Sequence, residues 1–426
     1  MAAAILPAFF LLLAAPLLAL ATGSGRTVLE PDQGVAGTDF ASLEWAIADI
    51  QSRTDTVSLS LIAHLAHAPA QLAKLEERFW SVSDPDHADY GAHLTQREVT
   101  DIVARPAREI ESVTEWLAAG GATGLRVGAH RDSIRFEMSA RDAEALFRTE
   151  IRAFRHRARA GVVVHRATAP YSVPDAIAPS LALVSGLLRL PDLDRFGVQA
   201  FDGFDGPEPE PAAKGPAAAG WPNDCPQCSQ QVTPAVLAAR YALPAPTASD
   251  PPATLAVSEF QGQVWDQHDL DDFAKNCKAS VPFNISVAHE NGTIAPGNAC
   301  KIPIIGSTSC GECLLDIEYA KSTAGPAIPL TDIYSPGYNL LDWSTTVEDI
   351  DDANIIGVHS VSYGNDEAQQ TGVAFMDACN AAFMKIGVRG VSILFASGDQ
   401  GVCGRSGCGF GKHIKPVEFL QSTSPE

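Results

Sequence analysis

The sequence predicts an α/β protein built in two parts. The first is a small α+β unit of the split β-α-β, or ferredoxin-like, type, and the second is a parallel sheet flanked by helices. Strand and helix patterns alternate over residues 28–190, which contain no cysteine. A stretch at 201–220, rich in Gly, Pro, Ala and Glu, is typical of a linker. After residue 253, short apolar strands alternate with helices, which indicates a parallel sheet.

The N-terminal part shows its elements as local patterns. The predicted elements are strands at 57–65, 133–138, 151–155 and 162–165 and helices at 69–82, 106–119 and 140–147. Leu72, Leu75, Phe79 and Trp80 share one face of the first helix, which we expect to be buried. Thr95 begins a capping box that predicts a further short helix.

The C-terminal part repeats strand and helix in regular succession. Its predicted elements are strands at 254–259, 284–288, 355–363 and 391–396 and helices at 234–241, 269–273, 311–322 and 372–386. Functional residues of parallel sheets collect at the carboxyl ends of strands. Ser362-Tyr363-Gly364 and Ser397-Gly398-Asp399 follow two of these strands, so both segments are candidate sites.

Composition excludes several classes of protein. The chain has 426 residues, of which 46% are hydrophobic, so it can form a large core and is not mainly disordered. The formal net charge of -21 at pH 7 argues against a nucleic-acid partner, because binding to phosphates needs clustered positive charge.

The N-terminus and the cysteines indicate the secretory pathway. An apolar run at 5–21 predicts a signal peptide over residues 1–24. The alternative, a membrane anchor, is disfavoured by the short length and two prolines of this run, and we expect no stable membrane span elsewhere. Nine cysteines and sequons at Asn284 and Asn291 fit secretion, either to a lysosome or acidic vacuole or out of the cell.

All nine cysteines lie at or after Cys225. Two C-x-x-C pairs, Cys225/Cys228 and Cys310/Cys313, are compatible with zinc or with disulfides. No histidine follows either pair at finger spacing, so disulfides are the favoured interpretation and no metal site is predicted. An odd number of cysteines leaves one thiol without a partner in this chain.

Glu312 and Asp316 are the strongest candidates for chemistry. Their spacing of four places both carboxyl groups on one helix face, about 6 Å apart. Two close carboxylates do not both ionise readily, so one should hold a proton in mild acid and support acid/base catalysis. The alternative interpretation is an ordinary solvated helix face.

Two further segments contain candidate residues. Asp399 lies in a glycine-containing turn beside Gly398, and its carboxyl group, if protonated, could donate to an oxyanion. An ordinary turn aspartate is the alternative. Ser360, Ser362 and Gly364 alternate at a strand end, and such small residues leave room for an extended peptide or for close helix packing.

Taken together, these motifs resemble the sedolisin family of serine-carboxyl peptidases. The run S-D-P-D-H-A-D-Y-G-A-H-L-T, with the helix that follows it, is similar to the family's activation propeptide. The segment Y-S-V-P, starting at Tyr171, is also similar to part of this propeptide. V-T-P, starting at Val232, resembles the beginning of the peptidase domain. G-E-C-L-L-D, S-Y-G and A-S-G-D resemble the family's acidic helix, substrate-binding strand and oxyanion loop.

The resemblance implies a role for each candidate. Glu312 would be the general base for a catalytic serine, Asp316 would share a proton with Glu312, and Asp399 would stabilise the oxyanion. Ser360, Ser362, Tyr363, Gly364 and Gly398 would contact the substrate. The implied substrate is a peptide or unfolded protein, and the implied intramolecular inhibitor is the chain's own prodomain.

The resemblance also implies a fold and domain boundaries. A signal peptide at 1–24 would precede an activation propeptide at 28–190, a linker with a processing site at 191–231 and a partial peptidase domain at 232–426. The peptidase fold would be subtilisin-like, with an incomplete parallel sheet.

The sequence departs from the family in two places. It contains no G-T-S-x-S, the motif that holds the family's nucleophilic serine, and it lacks the late aspartates of the family's calcium site. We therefore expect a C-terminally truncated precursor of an acid peptidase, inactive as it stands. The alternatives are a non-catalytic scaffold that binds a peptidase or peptides and a glycosidase that uses Glu312 and Asp316.

Overall fold

The computed structural model describes residues 25–31, 45–48, 57–157, 163–190, 232–243, 253–260, 263–277, 285–288, 300, 310–325, 327–335, 339–364 and 372–396. The strands are β1 (Arg26–Leu29), β2 (Trp45–Ile47), β3 (Ser58–Leu65), β4 (Thr123–Val127), β5 (Ser133–Ser139), β6 (Ile151–His156), β7 (Val163–Ala167), β8 (Tyr171–Pro174), β9 (Leu181–Ser185), β10 (Leu255–Phe260), β11 (Ile285–Ala288), β12 (Leu330–Ser335), β13 (Val358–Val361) and β14 (Ser392–Phe395).

The helices are α1 (Pro69–Ser83), α2 (Gln96–Val103), α3 (Ala107–Ala119), α4 (Ala140–Phe147), α5 (Pro234–Tyr241), α6 (Gln267–Asn276), α7 (Gly311–Ala324), α8 (Leu340–Glu348) and α9 (Val373–Gly387). We refer to the described residues between 25 and 190 as the N-terminal unit and to those between 232 and 396 as the C-terminal unit.

The N-terminal unit is built around a four-stranded antiparallel sheet. Its strand order is β4-β5-β3-β9, which is the order of a split β-α-β unit. The apolar face of β3 packs with α3 and α4 in a core that contains Leu61, Leu117, Phe136 and Phe147. A three-stranded sheet (β2-β6-β7) and the pair β1-β8 complete this unit within the described residues.

The C-terminal unit contains a parallel sheet. Its order is β11-β12-β10-β13-β14, and every described pairing in it is parallel. Helix α7 packs against β10 and β12, whereas α9 packs against α8 and β14. The prediction of an α/β protein with a parallel sheet is therefore confirmed.

The two units share apolar contacts. Leu183 of β9 belongs to the same buried cluster as Trp343 and Ile386 of the C-terminal unit. Val388 in turn lies in a cluster with Leu75 of α1 and Val99 of α2. Because each unit contributes side chains to the other's core, burial of apolar surface holds them together.

Several local predictions differ from the structure. Strand β13 is shorter than the predicted 355–363, and β12 and α8 were not predicted at all. The strand β12, L-T-D-I-Y-S, includes polar residues that interrupt the apolar run on which the prediction relied. Trp80 was predicted to be buried but is 59% exposed, because Leu75 and Val82 supply the buried face of α1.

Other predictions lie outside the described residues. They are the signal peptide, the linker at 191–231, both sequon asparagines, Cys225, Cys228, Gly398 and Asp399. Among the helices that the structure describes, none combines the length and the apolar character needed to cross a bilayer.

Candidate functional site

Helix α7 carries two of the predicted site residues, Glu312 and Asp316. It begins after Cys310 and ends before Gly325, whose positive φ of 95° terminates the helix. Cys313, Leu314 and Ile317 are buried and fix the helix on the parallel sheet. Glu312 and Asp316 are both half-buried.

The carboxyl end of β10 adds a third acidic residue. Glu259 is fully buried, and its Oε2 accepts a hydrogen bond of 3.0 Å from the hydroxyl group of Tyr363. Ser362 and Glu259 are hydrogen-bonding neighbours of the Asp316 carboxyl group and lower its pKa. We call Glu259, Asp316, Ser362 and Tyr363 the carboxylate cluster.

The contact between Glu259 and Asp316 requires a proton. Two ionised carboxylates offer acceptors but no donor, so they do not hydrogen-bond unless one is protonated. Glu259 Oε1 and Asp316 Oδ2 are both buried without a donor from elsewhere in the protein. A single proton held between the two carboxyl groups satisfies this arrangement.

The electrostatic surroundings favour retention of that proton. Burial raises the pKa of Glu259 well above its ordinary value, and the negative charges of Asp316, Asp332 and Glu312 raise it further. Burial also raises the pKa of Asp316 to about 6, although its hydrogen bonds with Ser362 and Glu259 oppose the increase. The cluster therefore gains protons in mildly acidic solution.

Further buried groups surround α7. Asp332 of β12 accepts a hydrogen bond of 3.0 Å from the indole nitrogen of Trp265. A disulfide joins Cys300 to Cys310 at the start of α7, and Cys313 is a buried free thiol. The favoured disulfide interpretation therefore holds for Cys310, but its partner is Cys300 and not Cys313. Two other described cysteines, Cys277 and Cys379, are also free.

The structure places the predicted substrate-binding residues at and beyond the end of β13. Ser360 lies within β13, which pairs with β10 on one side and β14 on the other. A peptide strand can therefore add only beyond Val361, where Ser362 and Gly364 lie. The side chain of Tyr363 is buried against Phe260, with a ring centroid distance of 4.7 Å.

The sequence reasoning did not identify Glu259 as a site residue. The available signal was a carboxyl group at the end of the apolar strand T-L-A-V-S-E, since a charged residue is seldom buried without a specific partner. The structure brings Asp316, Ser362 and Tyr363 together as neighbours of Glu259. Asp399 and Gly398 lie outside the described residues.

A second charged cluster lies between the two units. Lys385 of α9 donates to Asp132 of the N-terminal unit at 2.6 Å and to Glu348 of α8 at 2.8 Å. His67 lies 3.1 Å from the same Asp132 oxygen. We call Asp132, Lys385, Glu348 and His67 the interface ion cluster.

The interface ion cluster contains a cation, Lys385, which favours the ionised forms of the carboxyl groups beside it. Burial alone would raise the pKa of Asp132, but Lys385 and His67 outweigh burial and hold that pKa well below its ordinary value. Burial raises the pKa of Glu348 to about 8 against the effect of Lys385. Nearby, burial and the charge of Lys385 lower the pKa values of His64 and His130 to about 3.

Further polar contacts flank this cluster. The guanidinium group of Arg389 donates to Asp352 at 2.9 Å, and the same carboxyl group accepts from the backbone nitrogen of Gln96 at 2.9 Å. Asp349 accepts from the backbone nitrogen of Ala129 at 2.8 Å. Backbone donors of the N-terminal unit thus bind carboxylates of the C-terminal unit.

Within the described residues, no three His, Cys, Asp or Glu side chains form a group that could hold a metal ion. The arrangement at α7 is instead suited to holding and transferring protons: buried carboxyl groups in contact, with hydroxyl donors on either side.

Comparisons with known proteins bear on both units. Residues 53–190, most of the N-terminal unit, match the family described as Pro-kumamolisin, activation domain. The chain is 31% identical to rat tripeptidyl-peptidase 1 over 340 residues, which cover 78% of this chain and 54% of that protein. It is 28% identical to physarolisin of Physarum polycephalum over 409 residues, which cover 91% of this chain and 61% of that protein.

Solved structures that match the chain include a Pseudomonas sedolisin in complex with two molecules of pseudo-iodotyrostatin. It has a TM-score of 0.28 and 18% identity, and the match covers 39% of this chain and 44% of that one.

The match over residues 53–190 places the N-terminal unit in the class of peptidase propeptides. More particularly, the chain belongs to the sedolisin family and carries the propeptide of that family. It spans about half the length of the tripeptidyl-peptidase relatives that it matches.

Proposed function

We propose that the chain is a precursor of a serine-carboxyl peptidase that hydrolyses peptide bonds in acid. In this proposal the C-terminal unit has the subtilisin-like fold, and the N-terminal unit is an inhibitory propeptide. The observation that carries the proposal is that Glu259 and Asp316 are neighbours, each with a buried carboxyl oxygen that no donor satisfies, so that a proton between them is favoured. Such a pair suits a reaction that uses carboxyl groups for proton transfer in an acidic compartment.

The proposed chemistry assigns one role to each acidic residue. Glu312, one helical turn before Asp316, would accept the proton of a serine hydroxyl as the serine attacks the peptide carbonyl. Asp316 would orient Glu312, and Asp399 would donate to the oxyanion. Glu259, which contacts Asp316, would act as a positioning residue that keeps a proton within the network.

The proposal leaves the nucleophilic serine unassigned. The sequence contains no G-T-S-x-S, the motif by which the resemblance would identify that serine. The hydrolysed bond would lie either three residues from a free N-terminus, as in a tripeptidyl peptidase, or inside a chain.

The polar contacts between the units support the propeptide role. The interface ion cluster joins Asp132 of the N-terminal unit to Lys385 and Glu348 of the C-terminal unit. Release of the propeptide after cleavage in the linker at 191–231 would separate these charges.

We propose that the secretory pathway delivers the precursor to an acidic vacuole or lysosome, or to acidic surroundings outside the cell.

The first experiment is to sequence the transcript and read its frame at and beyond Glu426. The encoded protein is then expressed in a secreted form and treated with acid. Its activity is assayed at pH 4 and pH 7 with a fluorogenic tripeptide amide and an internally quenched peptide. Asp316→Asn and Glu312→Gln are the test variants. Glu318→Gln removes a carboxyl group from the same helix outside the carboxylate cluster and is the matched control; burial raises the pKa of Glu318 to about 8.

We expect activity at pH 4 that falls by about 100-fold or more in both test variants and persists in the control. Activity that survives Glu312→Gln and Asp316→Asn would overturn the proposal. The 426-residue chain alone is expected to show no turnover. If the transcript ends at Glu426 and the chain binds peptides or a peptidase without cleaving them, the non-catalytic scaffold replaces the peptidase.

A further inference from the structure

Three cysteines meet at the start of the helix that carries Glu312 and Asp316. Cys310 is the residue that precedes α7, and its disulfide partner is Cys300, with a Cα–Cα distance of 5.7 Å. Cys313 follows three residues later as a fully buried free thiol. Cys310 and Cys313 belong to one packed cluster, and Cys300 packs against it.

This placement gives Cys310 two possible partners. Residues three apart on a helix are neighbours, with Cβ atoms about 5 to 6 Å apart, which is close enough for a bond after a small adjustment. A C-x-x-C pair at a helix N-terminus is also the spacing used by proteins that exchange disulfides. A thiol and a disulfide that share this first turn therefore have the geometry for an exchange reaction.

We propose that Cys300, Cys310 and Cys313 form an intramolecular thiol–disulfide exchange site. The thiolate of Cys313 attacks Sγ of Cys310, so the Cys310–Cys313 bond forms as the Cys300–Cys310 bond breaks. Cys300 leaves as a thiolate and takes up a proton equivalent to the one that Cys313 lost. The reaction has no net oxidation or reduction and needs no co-reactant.

The exchange would change how α7 is held. In the observed pairing, the disulfide ties the first turn of α7 to Cys300, whose backbone nitrogen donates to Asp266 at 3.1 Å. Asp266 also caps the N-terminus of α6. Exchange would release this tether and close a ring around Glu312, which lies between Cys310 and Cys313. The position of Glu312 would then depend on which disulfide is present.

The surroundings of Cys313 determine the pH at which exchange occurs. Burial raises the pKa of this thiol well above 9, and the nearby carboxyl groups of Glu259, Asp332, Asp316 and Glu312 raise it further. Because the attacking species is the thiolate, acid preserves the Cys300–Cys310 bond and alkaline solution permits exchange. The exchange does not depend on the proposed peptidase activity.

The test is alkylation of the folded 426-residue chain, followed by peptide mass spectrometry. The chain is incubated at pH 5 or pH 8.5 without oxidant or reductant and then treated with N-ethylmaleimide. We expect Cys300 to be linked to Cys310 at pH 5. At pH 8.5 we expect alkylated Cys300 to increase at least about tenfold together with a Cys310–Cys313 disulfide, since the thiolate fraction rises with pH.

Three variants complete the test. Cys313→Ser is expected to abolish alkylation of Cys300, whereas Cys379→Ser, which removes another buried free thiol, is expected to leave it unchanged. If Cys313→Ser fails to fold, Cys300→Ser replaces it, and after oxidation by oxidised glutathione, which is reduced as the bond forms, it is expected to contain a Cys310–Cys313 disulfide. The proposal is overturned if Cys300 stays unlabelled at pH 8.5 in the wild-type chain, if its labelling persists in Cys313→Ser, or if a folded Cys300→Ser chain leaves Cys310 and Cys313 unpaired after that oxidation.

Discussion

The carboxylate cluster and the interface ion cluster are both buried and acidic, but they differ in one component. In the interface ion cluster, Lys385 lies between Asp132 and Glu348 and keeps the pKa of Asp132 low. In the carboxylate cluster, the strongest charges acting on Glu259 are other carboxylates, so its pKa rises. Asp132, beside the cation, stays ionised and links the two units, whereas the carboxylates around Glu259 favour its protonated form.

The difference also gives the two clusters opposite responses to acid. Protonation relieves the repulsion between the carboxyl groups of the carboxylate cluster. Mild acid should therefore increase the stability that this cluster gives to the C-terminal unit. At the interface, His64 and His130 are buried in their neutral forms, so acid should weaken the docking of the two units. The following substitutions test this contrast, from the largest expected effect to the smallest.

Lys385→Met removes the cation that distinguishes the interface ion cluster. It leaves the carboxyl groups of Asp132 and Glu348 buried and facing each other, which is expected to destabilise the docked protein by about 3 to 5 kcal/mol. Urea denaturation and limited proteolysis of the linker measure the effect. Lys275→Met, which removes an exposed lysine of α6, is the matched control, and an equal, small effect of both variants would contradict the assigned role of Lys385.

Asp316→Asn tests the carboxylate cluster through its pH dependence. The folded-state pKa of Asp316 is raised to about 6, so its contribution is fully present below pH 3.8 and is lost as pH rises through about 6. The free energy of unfolding of the wild-type protein should therefore fall by about 3 kcal/mol over this range because of Asp316. The variant should lose this decline, and Asp377→Asn, at an exposed position on α9, should retain it.

His130→Gln tests the opposite dependence at the interface. The pKa of His130 in the folded protein is about 3, so its contribution to the free energy of unfolding is present above pH 6.5 and is lost as pH falls towards 3. At pH 5 this loss is about 2 kcal/mol. The raised pKa values of Glu348 and Asp342, to about 8 and about 6, act in the other direction and limit the net change.

After the linker is cut, size-exclusion chromatography over a pH series measures the docking of the two units. His130→Gln should remain associated to a lower pH than the wild-type protein. His87→Gln, at an exposed position, should dissociate at the same pH as the wild type. Earlier dissociation of His130→Gln would show that His130 does not weaken docking in acid.

Tyr363→Phe has the smallest expected effect. It removes the hydroxyl group that donates to Glu259 at 3.0 Å and should lower the free energy of unfolding by about 1 kcal/mol. The loss should be larger in alkaline than in acidic solution, because the hydroxyl group stabilises the ionised carboxyl group of Glu259 more than the protonated one. Tyr241→Phe, at an exposed position, is the control, and equal losses at both pH values would argue against the contact with an ionisable Glu259.

Local sequence patterns predicted much of the fold. The capping box at Thr95 and Glu98 is present at the start of α2, and α5 has the predicted bounds. These predictions succeeded because the information lies within one helical turn. Strand β12 was missed because its pairing with β10 and β11, and not its own periodicity, determines its structure.

The candidate sites also differ in whether local sequence or tertiary structure brings their residues together. The spacing of Glu312 and Asp316 is local, so the sequence predicted that they lie together on one helix. The partner of Asp316, Glu259, comes from a distant strand, and no spacing rule identifies it. Likewise, Asp132, Glu348 and Lys385 meet only because the two units dock, so their contact depends on tertiary structure.

The most direct test of the carboxylate cluster is a carbon-13 NMR titration of carboxyl groups in protein labelled at Asp and Glu side chains. Glu259→Gln and Asp316→Asn assign the two signals. We predict that the Glu259 signal titrates at a higher pH than that of an ordinary glutamate and that the Asp316 signal titrates near pH 6. Titration of both signals near pH 4, the ordinary range for carboxyl groups, would contradict the shared proton.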